Sequence, residues 1–178
     1  MSESSVKDGA KGSGTVAAKV WTDEERIAEQ RKCIDLHISI ENSHQLDRLI
    51  PETFAKEGVY YHVVPGLVDY QGHEGVIDFY DNLVKVLPDL HTTFIHEYDL
   101  PCYSFREGQF TGTHSAEFAG IPASGRKVGC PFMAIYIFKP DDPTKMIAER
   151  VYWDNTDLMS QMRGEVAMSE VLPWHKTM

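Results

Sequence analysis

The sequence predicts an α+β fold in which helices cover one face of a curved antiparallel sheet. Three observations carry this. Helix-period patterns fill the first half of the chain with one short strand among them, and strand-like runs follow in succession from His91 to Trp153. The stretch from Lys127 to Leu158 reads as a long hairpin: KVGCPFMAIYIF, a Pro/Asp-rich break at 139–145, then MIAERVYWDNTDL. In its first run Cys130, Phe132, Ala134, Tyr136 and Phe138 share one face, and Met133, Ile135 and Ile137 share the other. Both faces are apolar, so one lines a core or cavity and the other packs on something else, such as another subunit.

Each element follows from local pattern. Residues 1–20 are rich in Ser, Gly, Lys and Ala without a hydrophobic period and read as a flexible tail. Thr22 with Glu25 forms a capping box, and the helix it opens runs to about Asn42 with Ile27, Cys33, Ile34, Ile38 and Ile40 in a broad stripe. His37 and Glu41 stand four apart on its flank. Ser43 is expected to cap a short second helix ending near Pro51 or Phe54. GVYYHVVPG has the β-propensity of a strand, and YQGHEG turns into a helix carrying Val76, Phe79, Tyr80 and Leu83 and stopping before Pro88. HTTFIHEYDL and FREGQFTGTHSAEF read as strands, and the loop AGIPASG leads into the hairpin. DLMSQMRGEVAMSEVL supplies a last short helix and a tail. The expected organisation is a tail over 1–20, one domain over 21–163 and a C-terminal tail over 164–178.

Bulk properties narrow the function. A chain of 178 residues that is 42% hydrophobic and 11% aromatic can bury a real core. Its net charge of −10 argues against nucleic acid or an anionic membrane as partner. There is no run of about 18 apolar residues and no signal-peptide core, so a cytoplasmic location is expected. Cys33, Cys102 and Cys130 give neither a disulfide framework nor a zinc pattern, and the eight histidines include no H-x-x-x-H pair. No metal and no cofactor are expected; a phosphate-binding Gly loop and a GxSxG elbow are absent.

Several strings resemble known families. GHEGVIDFYDNL, GRKVGCPFMAIYIF and RVYWDNTDL resemble ketosteroid isomerase, while GTHSAEFAGIPASGRKV and YWDNTDLMSQM resemble the SnoaL-like polyketide cyclases. Both belong to the nuclear-transport-factor-2-like superfamily, and the likeness spans roughly residues 25–163. It implies a cone-shaped sheet covered by helices around a deep pocket. It also implies that His37 stands where the isomerase has its oxyanion-hole tyrosine, Tyr80 at the tyrosine bonded to that group, and His62 near the general-base aspartate. Ala134 stands where the isomerase has its protonated oxyanion-hole aspartate and the cyclases their active-site histidine, Val151 stands where the cyclases have their acid/base aspartate, and Glu149 and Trp153 fall at cavity-lining positions.

The residues themselves place Glu149, Val151 and Trp153 on one face of the second hairpin run, a carboxyl beside an indole. A pocket holding His37, His62, Tyr80, His114 and Glu149 suits general acid/base catalysis, because histidine titrates near neutrality. His114 shares its parity with Ala116 and Phe118. Tyr61 and His62 alternate, so only one of them faces the pocket. Tyr61, Phe118, Phe132, Tyr136 and Trp153 form an aromatic wall for a flat hydrophobic or phenolic substrate. The expected activity is that of a cofactor-independent lyase, by dehydration or C–C cleavage as in the diarylpropane formaldehyde lyases of this superfamily. An aldol-type polyketide cyclase or isomerase and a non-catalytic binding protein are the alternatives. The apolar second face of the hairpin predicts a homodimer or homotrimer.

Overall fold

The computed structural model describes residues 19–171 apart from Pro65 and Leu67. The expected tail over 1–20 lies almost wholly outside the described residues, as do residues 172–178. Six strands form one sheet in the order β2-β1-β6-β5-β4-β3. They are β1 (Tyr60–Val63), β2 (Val68–Gln71), β3 (His91–Leu100), β4 (Tyr103–Thr113), β5 (Lys127–Lys139) and β6 (Asp142–Trp153). All neighbours are antiparallel except β1 with β6. The α+β class is as expected, and β2 is an addition to the sequence reading.

Helix α1 (Asp23–Asn42) starts at the predicted capping box: Glu25 N donates to Thr22 Oγ1 and Thr22 N to the Glu25 carboxylate. It lies across the sheet from β6 to β3 and buries Cys33, Ile34, His37, Ile40 and Glu41. Ser43 does not cap α2 (Leu46–Thr53). Its hydroxyl donates to Ile40 O in the last turn of α1, and Gln45 precedes α2 without a side-chain cap. Helix α3 (Gly72–Val86) packs on β1 and β2, and α4 (Asn155–Arg163) and α5 (Met168–Val171) pack on β5.

The hairpin is tighter than its sequence suggests. Lys139 pairs with Asp142 across Pro140 and Asp141, and the surplus residues are absorbed as irregular register around Phe138, which pairs with Met146. Strand β4 stops at Thr113, short of the expected Phe118; beyond it an isolated bridge joins Phe118 to Ile121. Along β4 the inward positions include Gly108 and Gly112. A Cβ at Gly112 would lie 2.9 Å from the Leu87 side chain, so the end of α3 packs onto bare backbone there. The outer face of the sheet exposes Tyr98, Leu100, Tyr103, Met133 and Tyr152. No described helix is long and apolar enough to cross a membrane.

Candidate active site

Between the inner face of the sheet and helices α1, α3 and α4 lies a cavity of about 320 Å³. Its wall is mostly apolar, with Tyr61, Phe110, Phe132, Val151, Trp153 and Leu158 contributing. Alternation along β5 and β6 turns Phe132, Tyr136, Glu149, Val151 and Trp153 inward together, as the sequence parity predicted. Trp153 is held in place by its Nε1–H, which donates to Asn155 Oδ1 at 2.7 Å.

The polar groups of the wall gather round Glu149. The register makes Tyr61 on β1 and Tyr136 on β5 its two cross-strand partners, so a phenol flanks the carboxyl on each side. Glu149 is only 3% exposed. Tyr80 OH lies 3.4 Å from its Oε2 and 2.9 Å from His37 Nε2. His37 Nε2 itself lies 3.3 Å from Glu149 Oε2 and 3.9 Å from Glu41 Oε2. One imidazole nitrogen therefore faces two carboxyls. Glu41 is also in the cavity wall, and its Oε1 accepts from Thr92 Oγ1 at 2.6 Å.

Hydrogen bonding sets the tautomer of His37. Thr53 Oγ1 gives its one proton to Leu49 O at 2.6 Å, so at 3.2 Å from His37 Nδ1 it acts as acceptor and Nδ1 carries the hydrogen. In the neutral imidazole Nε2 is then the acceptor, turned toward Tyr80, Glu149 and Glu41. Burial pushes the Glu41 carboxyl above its ordinary range; the attraction of His37 and the Thr92 hydrogen bond oppose this, and the charge of Glu149 adds to it. Burial, followed by the charge of Glu149, raises the hydroxyls of Tyr61, Tyr80 and Tyr136 well above the usual phenol value. All three stay protonated and serve as donors.

Of the candidates read from sequence, Tyr61, Phe118, Phe132, Tyr136, Glu149 and Trp153 line the cavity. His37 and Tyr80 stand behind the wall, in contact with Glu149. His62 is a correction: Tyr61 takes the inward place, and the neighbouring residue on a strand points to the other face. His114 is a second correction. It is fully buried but lies past the end of β4, outside the cavity wall, where Nδ1 meets Ser124 Oγ at 3.0 Å and its backbone pairs with Gly125 and Arg126. Sequence reasoning passed over Glu41 and Thr92, although the i, i+4 spacing of His37 and Glu41 was a usable signal. Ala134 and Val151 are buried cross-strand partners, so acid/base groups in this cavity come from other positions. Among the described residues no cluster of three or more His, Cys, Asp or Glu side chains is arranged to hold a metal ion.

The model of the SnoaL-like polyketide cyclases matches residues 31–162 of the chain. The chain belongs to that family. No functionally curated protein matches it. Among solved structures, a protein of Jannaschia sp. CCS1 assigned as a SnoaL-like polyketide cyclase is 17% identical with a TM-score of 0.68, over 76% of this chain and 92% of that one. AclR of Streptomyces galilaeus, assigned as a hydroxylase, is 16% identical with a TM-score of 0.64, over 79% of this chain and 98% of that one. IdmH of Streptomyces antibioticus, assigned as a polyketide cyclase, is 18% identical with a TM-score of 0.63, over 75% and 98%. At these identities the likeness carries the fold of the family, a curved sheet with helices over a hollow, and not a shared reaction.

Proposed function

We propose that the cavity carries cofactor-independent acid/base chemistry on a small hydrophobic aromatic molecule, with Glu149 as the proton acceptor. The observation that supports this is the Glu41–His37–Glu149 unit: two carboxyls on the wall of an apolar cavity, linked by one imidazole nitrogen. In a dehydration, Glu149 takes the proton from carbon, the C–O bond breaks, and Glu41 in its acid form gives its proton to the departing hydroxide. In a C–C cleavage Glu41 gives its proton to the departing hydroxide, Glu149 takes the proton of the β-hydroxyl, an aldehyde departs, and the electrons of the broken C–C bond close a C=C bond to the carbon that lost the hydroxide. Each turnover leaves Glu149 protonated and Glu41 ionised. His37 Nε2 lies between them and returns the proton. The phenols of Tyr61 and Tyr136 donate to the oxygen on which negative charge develops.

The same acid and base also suit an aldol cyclisation, with Glu149 taking the α-proton and Glu41 protonating the new alkoxide, a second reading that the family match favours. Incubation with a 1,2-diarylpropane-1,3-diol, followed by assay of formaldehyde, separates the two. A lyase releases a one-carbon fragment, and Glu149→Gln abolishes the release. A linear polyketide ester converted with every carbon retained in one product marks a cyclase instead. Retention of both molecules unchanged marks a binding protein. The exposed aromatic and aliphatic residues of the outer sheet face support a homodimer or homotrimer, and sedimentation as a monomer counts against it.

A further inference from the structure

We infer that the cavity accepts its ligand in an uncharged or cationic form and rejects anions, so that the substrate is an ester, ketone, alcohol or un-ionised phenol and not a carboxylate, phosphate or sulfate. This deepens the reading of the cavity as the substrate site and rests on it. Among the described residues, the only ionisable acids and bases in the wall besides phenols are Glu41 and Glu149, and no Lys, Arg or His side chain joins them. Behind the wall His37 is one imidazole set against two carboxyls. The fully buried cation nearby, Arg106, lies outside the cavity wall and is paired with Asp99 at 2.9 Å and Glu97 at 3.5 Å, although its Nε and Nη2 hydrogens have no acceptor among the described residues.

Backbone dipoles do not make up the deficit. Helix α4 begins at the cavity with Asn155, but its N-terminal N–H groups, those of Thr156 and Asp157, donate to the Asp154 carboxylate. The positive end of that helix is filled from within. An anion entering here would lose its hydration against no counter-charge and meet at least one carboxylate.

The test is a binding titration at pH 7 with three probes of one shape: 2-naphthoate, 2-naphthamide and 2-naphthylmethylammonium, followed by tryptophan fluorescence or calorimetry on the whole chain. The amide is expected to bind at least tenfold more tightly than the carboxylate, and the ammonium no more weakly than the amide. In Glu149→Gln or Glu41→Gln, checked for folding by thermal melt, the gap between amide and carboxylate is expected to narrow severalfold. Carboxylate binding within threefold of the amide overturns the inference. So does failure of all three to bind, or an unchanged gap in both variants. The titration reads binding alone, so a missing charge gap leaves proton transfer standing, while absent turnover with the gap intact removes the catalytic reading only.

Discussion

Helix α1 meets the sheet through two polar clusters, each with a buried centre, and they are built on opposite principles. Toward its N-terminal half, Arg31 Nε lies 2.6 Å from Asp99 Oδ2, Arg106 Nη1 lies 2.9 Å from Asp99 Oδ1, and Arg106 Nη2 lies 3.5 Å from Glu97. Two guanidiniums face two carboxylates, and the Ser104 hydroxyl donates to Asp99 as well. Toward its C-terminal half, His37 stands alone between Glu41 and Glu149, with phenols around it and a cavity in front. Arg106 and His37 are both fully buried, so depth does not distinguish the clusters. Charge balance and access do. A matched set that reaches solvent at Arg31 and Glu97 and opens on no cavity holds the helix on the sheet; an acid-rich set beside a hollow is the arrangement that the proposed proton transfer uses.

The largest effect that sharpens this contrast is on turnover. Glu149→Gln and Glu41→Gln are expected to lower the rate of fragment release by about 10²–10⁴-fold while moving the melting temperature little, since general acid/base groups contribute on that scale. A rate within threefold of the parent protein in both would break the comparison. The matched cluster is expected to behave in the opposite way. Arg106→Met leaves Asp99 short of a partner and is expected to cost about 3–5 kcal/mol in urea unfolding, without changing the rate per folded molecule.

A third effect lies in the pH dependence of stability, where the two clusters have opposite signs. The Glu41 carboxyl is raised above its ordinary 4.5 by burial, so the folded state favours its acid form. Its contribution is fully present below about pH 4.5 and is lost as pH rises through the folded value. Asp99 is pushed up by burial but held below its ordinary 3.8 overall by hydrogen bonds from Ser104, Arg31 and Arg106. Its contribution is present above about 3.8 and lost as pH falls through the folded value. Urea unfolding from pH 3 to 8 should therefore show the parent losing stability relative to Glu41→Gln as pH rises. The advantage of the parent over Asp99→Asn should shrink in acid.

The smallest effect concerns the cysteines packed near these layers. Burial pushes the Cys33 thiol up to about 12 and the Cys130 thiol up to about 11. Cys102 is half-buried at the turn between β3 and β4. At pH 8 a thiol reagent is expected to modify Cys102 and spare the other two until the protein is unfolded. Rapid native labelling of all three would show that the inner layer opens readily.

The sheet side of the site was legible because strand parity is rigid: once Phe132 and Tyr136 point inward, so do Glu149, Val151 and Trp153 across the hairpin. The helix side was less so. Helix period shows that His37 and Glu41 share a flank, but the rotation of α1 over the sheet is set by tertiary packing that no local pattern encodes. His62 was open to a one-residue choice that the pairing of Tyr61 with Glu149 settles. His114 is buried, as its parity suggested, but the strand ends at Thr113 and beyond it an inward direction leads to Ser124 and not to the cavity. Strand β2 escaped notice because Val68–Gln71 has neither an apolar run nor a buried residue to announce it.

The central claim is that the Glu41–His37–Glu149 unit transfers protons to and from a carbon acid held in the cavity. The most direct measurement is the wash-out of the α-proton signals of 2-tetralone in D₂O at pH 7, followed by proton NMR with and without the protein. The account predicts exchange well above the buffer rate with the parent protein, and exchange at the buffer rate with Glu149→Gln. Exchange by the parent no faster than buffer, or by Glu149→Gln as fast as the parent, would contradict it.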